Sequence, residues 1–153
     1  MGFCGFSLLI INAEELLKEV NIGMLLVKHM MVTNVITASP SMTVKETIEI
    51  LYEKHIGCVV SIDDDKKCIG IFTERDAIRL VAKNVQLDQP LDNVMTKNVV
   101  TIQEGSSINE ARRVIRSHRI RHLPVVNQKG RLVGLLSVRD LLDQFFGLNS
   151  QNC

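Results

Sequence analysis

Two short runs carry the side chains best suited to chemistry, Thr73-Glu74-Arg75-Asp76 and Ser137-Val138-Arg139-Asp140. Each sets a hydroxyl three residues ahead of a carboxylate, with an arginine between them. A carboxylate accepts charge-assisted hydrogen bonds, which are stronger than neutral ones. A hydroxyl at a helix start lies beside backbone amides that favour anions. A guanidinium near such a hydroxyl presents a planar fork of donors that reaches phosphate or braces the carboxylate. The same spacing also describes a helix N-cap with an acid in its first turn, a device open to any helix. Both readings stand at this point, and one residue can cap and bind at once.

Other reactive residue types form weaker patterns. His118 and His122 are four apart, but one falls at a helix end and the other at the start of a strand, so they make a poor metal pair. His29 and His55 read as surface or packing residues. Serine, histidine and aspartate are all present, yet no nucleophile elbow and no phosphate-cradling glycine loop appears. Nothing in the sequence argues for turnover, so the expectation is a protein that is not an enzyme. Cys4, Cys58, Cys68 and Cys153 show neither CxxC spacing nor a dense framework. They read as free thiols in a reducing compartment, with Cys58 and Cys68 as small apolar residues of strands.

Five arginines, Arg112, Arg113, Arg116, Arg119 and Arg121, fall between Ala111 and His122. Arg112, Arg116 and Arg119 stand at helical spacing and are expected to line one face. A solvated face, a contact for an acidic partner or phosphate-rich ligand, and a nucleic-acid surface are the readings. Against the last, the chain has no Trp, one Tyr and 4% aromatic residues, too few to build stacking platforms for single strands. The formal net charge of +1 gives no overall pull toward nucleic acid or membrane.

The elements that must position these residues follow from an internal repeat. Met31-Val32-Thr33-Asn34-Val35-Ile36-Thr37 resembles Met95-Thr96-Lys97-Asn98-Val99-Val100-Thr101, 64 positions on. The same offset holds without a gap through Glu46/Glu110, Ile56/Ile120, Gly70/Gly134, Arg75/Arg139 and Asp76/Asp140. Each copy reads as strand, helix, strand, strand, helix. Val35 to Thr37 and Val99 to Thr101 are short β-rich runs. Thr43 to Glu46 and Ser107 to Glu110 are capping boxes, each followed by apolar residues at one-face helical spacing. Cys58 to Ile62 and Leu123 to Val126 are apolar strands, and polar turns lead on to Cys68 to Phe72 and Arg131 to Leu136. Helices are expected over Glu74 to Lys83 and Val138 to Phe146.

The predicted organisation is an apolar lead-in and short helix (1–26), a first repeat (27–84), a linker with Pro90 (85–93), a second repeat (94–146) and a tail (147–153). A unit of three strands and two helices has one apolar face that it cannot bury alone, so the copies should pack together about a pseudo-twofold axis. The fold class is α+β. Ala13 to Val20 reads as an amphipathic helix outside the repeat. The apolar Gly2 to Ile11 lacks a basic leader and is too short to span a bilayer, and no other run is long enough. A soluble, cytoplasmic protein is expected.

Gly70-Ile71-Phe72-Thr73-Glu74-Arg75-Asp76 resembles the signature that closes a CBS domain, and Gly134-Leu135-Leu136-Ser137-Val138-Arg139-Asp140 matches it again. The resemblance covers roughly residues 27 to 146. It implies a Bateman module, in which two such repeats form clefts for adenosine-containing ligands: AMP, ADP or ATP, with S-adenosylmethionine or NAD as further possibilities. It implies a regulatory role, a homodimer and a separate effector protein. By the family pattern, Asp76 and Asp140 grip the vicinal hydroxyls of a ribose while adenine lies against apolar side chains. Thr73, Arg75 and Asp76 then face Val99, Arg121 and His122. Ser137, Arg139 and Asp140 face Val35, Gly57 and Cys58. The first cleft is expected to carry extra cationic donors and to bind phosphate more tightly. The second is expected to be small and neutral at that edge. A structural module with empty clefts, acting by dimerisation, is the alternative.

Overall fold

The computed structural model describes residues 24–146. The expected Ala13 to Val20 helix, the Gly2 to Ile11 segment and the 147–153 tail lie outside the described residues. The first repeat contains helix α1 (Val44–Lys54), strands β1 (Cys58–Ile62) and β2 (Cys68–Thr73), and helix α2 (Glu74–Ala82). The second contains strand β3 (Ile102–Gln103), helix α3 (Ile108–His118), strands β4 (His122–Val126) and β5 (Leu132–Ser137), and helix α4 (Val138–Phe146). β1 and β2 form an antiparallel pair, and β3, β4 and β5 form a sheet in which β3 runs parallel to β4. A mixed α+β fold with duplicated halves is what the repeat requires.

The two hairpins are copies down to their irregularities. Cys58 pairs with Thr73 and Val60 with Ile71, and 64 positions on His122 pairs with Ser137 and Pro124 with Leu135. A register shift falls between Ser61 and Ile62 in one and between Val125 and Val126 in the other. Such a bulge bends the strand and strengthens its twist, so both hairpins are curved at the same place.

The opening strands are shorter than expected and begin later. In the second repeat the pairing starts at Ile102, beyond the Val99 to Thr101 run, and in the first repeat it shrinks to a single parallel bridge, Thr37 to Val60. Val35 and Val99 are held instead in tight turns, their amides donating to the Thr33 and Lys97 carbonyls at 3.1 and 3.0 Å. A bond across two residues of this kind suits a strand entrance and not a ladder. In the first repeat the buried Ser61 hydroxyl also donates to the Ala38 carbonyl at 2.9 Å. The equivalent position in the second repeat, Val125, pairs through its backbone with Ile102.

The capping signals are realised unequally. Thr43 Oγ1 accepts from the Glu46 amide at 3.2 Å, and the Glu46 carboxylate accepts from the Thr43 amide at 2.8 Å, a complete box. Those bonds from Thr43 hold the Glu46 carboxyl below the ordinary carboxylate range. Ser107 Oγ accepts from the Glu110 amide at 3.2 Å, but the Glu110 carboxylate makes no return bond, so this box is half formed.

Each repeat is completed by the segment that precedes the other. The Val27 amide donates to the Ser106 carbonyl and the Ile108 amide to the Leu25 carbonyl, at 2.8 and 2.9 Å. One period on, the Leu91 amide donates to the Met42 carbonyl and the Val44 amide to the Gln89 carbonyl, at 2.8 and 3.0 Å. Val27 is therefore buried in the core of the second repeat, with Ile108, Leu123 and Leu136. Leu91 and Met95 belong to the core of the first, with Val44, Val59 and Phe72. Further bonds join the halves in symmetric pairs: Val32 bridges Leu135, and Thr96 bridges Ile71. Lys67 bridges Arg131, its own counterpart in the repeat, and so marks the pseudo-twofold axis.

Candidate functional site

Both conspicuous tetrads sit where a strand turns into a helix. Thr73 closes β2 and caps α2: its Oγ1 accepts from the Asp76 amide at 3.3 Å. Asp76 Oδ2 accepts in return from the Thr73 amide at 2.9 Å and from its hydroxyl at 2.8 Å. Ser137 and Asp140 repeat the arrangement at the start of α4, with bonds of 2.8 and 2.6 Å to Asp140 Oδ2 and 3.2 Å from the Asp140 amide to the serine. The caps are genuine. They also fix one carboxylate oxygen of each aspartate and so set the direction of the other.

That other oxygen differs between the copies. Asp76 Oδ1 is taken by Arg79, at 2.8 Å. The residue that braces this aspartate is thus Arg79, one turn on, and not Arg75. At the equivalent place the second repeat has Asp143, and among the described residues no side chain takes the place of Arg79 at Asp140 Oδ1. Arg139 lies 3.9 Å from Asp143 and has its side chain 82% exposed.

Around each aspartate the two repeats enclose a cleft. The first, about 240 Å³, is lined by Thr73, Arg75 and Asp76 from one repeat and by Val99, Arg121 and His122 from the other. The second, about 690 Å³, is lined by Ser137, Arg139 and Asp140 together with Val35, Gly57 and Cys58. Each set of residues that the family resemblance groups together lines one cavity. Three features differ from expectation. The second cleft is the larger. It is not neutral at its edge, since Glu74 and Asp143 also line it. Arg121 and His122 line both clefts and form the wall between them.

Residues outside the expected groupings complete both clefts. Arg119 lies in the wall of the first and not on a helical face, because α3 ends at His118 and Arg119 is its C-cap in the left-handed region, φ 53°. His55 has the same backbone (φ 52°) and lines the second cleft. Asn34 and Asn98 precede Val35 and Val99 in the two clefts, a pairing the repeat offset already contained.

The electrostatics of the cleft walls shift one thiol and one imidazole. Burial, reinforced by the negative charge of Glu74, pushes the Cys58 thiol up to about 12, so it stays protonated at neutral pH. Burial, and secondarily the Arg121 charge, lower the His122 pKa, against the opposing pull of Glu74 and Asp140. Among the described residues no group of three His, Cys, Asp or Glu side chains could hold a metal ion.

Comparison with known proteins follows the same lines. The CBS domain family model matches residues 27–83 and 91–147. An uncharacterized 17.7 kDa protein of Acidianus ambivalens is 33% identical over 115 residues, covering 75% of this chain and 70% of that protein. The inosine-5'-monophosphate dehydrogenase of Aquifex aeolicus is 34% identical over 113 residues, but these span 73% of this chain and only 23% of the dehydrogenase. Among solved structures, a CBS-domain containing protein from Agrobacterium tumefaciens superposes with a TM-score of 0.73 at 34% identity, covering 79% of this chain and 99% of that one. A CBS domain protein from Pyrobaculum aerophilum, complexed with AMP, gives a TM-score of 0.72 at 29% identity, covering 76% and 90% of the two chains. A CBS domain pair in complex with 5'-methylthioadenosine and S-adenosyl-L-methionine gives 0.74 at 27% identity, covering 82% and 98%. With the family model matching both repeats, and the repeats paired as in these structures, the chain belongs to the CBS-domain family.

Proposed function

We propose that this chain is a regulatory sensor that binds an adenosine nucleotide (AMP, ADP or ATP) between its repeats and catalyses no reaction. The observation that carries this reading is the composite construction of each cleft: a capped, oriented aspartate from one repeat opposes an apolar strand entrance from the other. A carboxylate with one oxygen fixed by its cap is preorganised to accept the hydroxyls of a ribose. Similar proteins solved with AMP or with S-adenosyl-L-methionine and 5'-methylthioadenosine support an adenosine ligand here. The three arginines of the first cleft support tighter phosphate binding there.

A ligand that touches both halves biases their relative orientation if it binds one arrangement better. The joints it would act on are the symmetric bridges, Val32 to Leu135 and Thr96 to Ile71. The recipient of that change is a separate effector protein. Exposed Ile78 (71%) and Val81 (62%) on α2 and Leu142 (47%) on α4 favour association through these helices, and we infer a homodimer. A monomeric mass in light scattering would remove that part of the reading. Free Cys58 and Cys68 suit the cytoplasm. Among the described residues no helix is long and apolar enough to cross a membrane.

Calorimetric titration of the purified chain with AMP, ADP and ATP tests the central claim. Saturable binding is expected, and Asp76→Ala should weaken it by about 1.5–3 kcal/mol, the range for hydrogen bonds to a charged group. Unchanged affinity in a folded Asp76→Ala, Asp140→Ala double variant would remove both ribose contacts. No binding of any adenine compound at millimolar concentration would leave the exposed helical faces, and a purely structural dimerisation role, as the better reading.

A further inference from the structure

We propose that the two clefts divide adenosine compounds by charge: phosphorylated ones bind in the first, and the second takes one without phosphate whose 5'-substituent is an uncharged thioether or a cationic sulfonium. The inference rests on the sensor reading above and adds a ligand class to each site.

The repeat makes the comparison direct, since each cleft residue has a counterpart 64 positions away. Arg119 in the first cleft corresponds to His55 in the second, and Arg121 to Gly57. Arg79, which braces Asp76, corresponds to Asp143. Each exchange moves the second cleft away from positive charge. Among the described residues Asp76 is the one carboxylate lining the first cleft, against Arg75, Arg119 and Arg121. Three carboxylates, Glu74, Asp140 and Asp143, line the second. Its arginines offset them poorly: Arg139 is largely in solvent beside Asp143, and Arg121 is shared with the first cleft.

An anionic phosphate in the second cleft would therefore meet repulsion that the first cleft replaces with attraction. A sulfonium would meet the reverse, and a thioether needs only apolar contact. Ile36, Ile56, Leu135 and Leu142 provide such contact. Asp140 Oδ1 lacks the arginine that occupies Asp76 Oδ1, since Asp143 stands in the place of Arg79, so sugar hydroxyls need not displace that cation. The larger volume, about 690 Å³ against about 240 Å³, accommodates a longer 5'-substituent than the first cleft does.

The test is competition calorimetry on the full chain with AMP, 5'-methylthioadenosine and S-adenosylmethionine as probes. AMP should fill one site, abolished by Asp76→Ala and retained in Asp140→Ala. With AMP saturating, one or both of the other probes should still bind, at least about tenfold more tightly than AMP does in that cleft, and should be lost in Asp140→Ala. Asp143→Arg, which installs the residue of the first repeat, should admit a second AMP. The proposal is overturned if AMP fills both clefts of the native chain with affinities within about threefold, or if AMP displaces both other probes from a common site. It is likewise overturned if folded Asp143→Arg still takes up a single AMP. Failure of every adenosine probe to bind would instead remove the sensor reading itself, so the two failures are distinct.

Discussion

His122 holds the position on which both clefts depend. A β-carbon on Gly57 would stand 2.6 Å from its Nε2, so only glycine lets the ring close the wall between the cavities. Burial in that wall, with Arg121 alongside, keeps the imidazole pKa below its ordinary 6.5. The unfolded chain therefore takes up the proton more readily than the folded one. Stability contributed by a neutral His122 is complete above about pH 6.5 and is lost as the pH falls through that value. Urea midpoints measured at about pH 7.5 and about pH 5.5 should fall on acidification, and fall less in His122→Gln. An equal fall in the variant would assign the acid sensitivity elsewhere. The family resemblance implies cleft positions for Gly57, Cys58 and His122, but assigns His122 to one cleft only. Its double service depends on the pseudo-twofold axis bringing the starts of β1 and β4 face to face, and no linear pattern records that distance.

At the level of elements, the order of strands and helices was readable because each is punctuated by its own signals. The Asp63 to Lys67 and Asn127 to Gly130 turns bound the hairpins, and the apolar runs on either side of them are the strands. The opening strands were misjudged for a physical reason. Val35 and Val99 have strand-forming side chains, but a two-residue turn before each leaves its amide outside the ladder. The arginine face was misjudged because a left-handed residue at 119 ends the helix before the third arginine of the stripe. The two capping motifs share one sequence pattern but form to different extents. Thr43 joins a complete box whose Glu46 carboxylate accepts from both its amide and its hydroxyl, at 2.8 and 2.7 Å. Ser107 receives one amide only. Thr43→Ala should accordingly cost about 1–2 kcal/mol and Ser107→Ala nearer about 0.5 kcal/mol. Equal losses in chemical denaturation would show that the reciprocal bond contributes nothing.

For the molecule as a whole, the unit of folding is not the unit of sequence. Leu91 stands just ahead of the second repeat, yet it is fully buried among residues of the first, and Val27 is fully buried in the core of the second. The sequence argument held that one copy has too little core to stand alone. The structure adds how the deficit is met, by exchanging the leading segments, so that each core is closed only when both copies are folded. Cooperativity across the chain follows. Leu91→Ala tests this directly. Removing a fully buried leucine side chain should cost about 2–5 kcal/mol. Because the damaged core belongs to the first repeat while the residue is joined in sequence to the second, the loss should appear everywhere at once. Hydrogen exchange measured on β1 and on β4 should accelerate by similar factors in this variant. If β1 loosens while β4 keeps its native protection, the repeats unfold separately and the exchanged segments do not couple them.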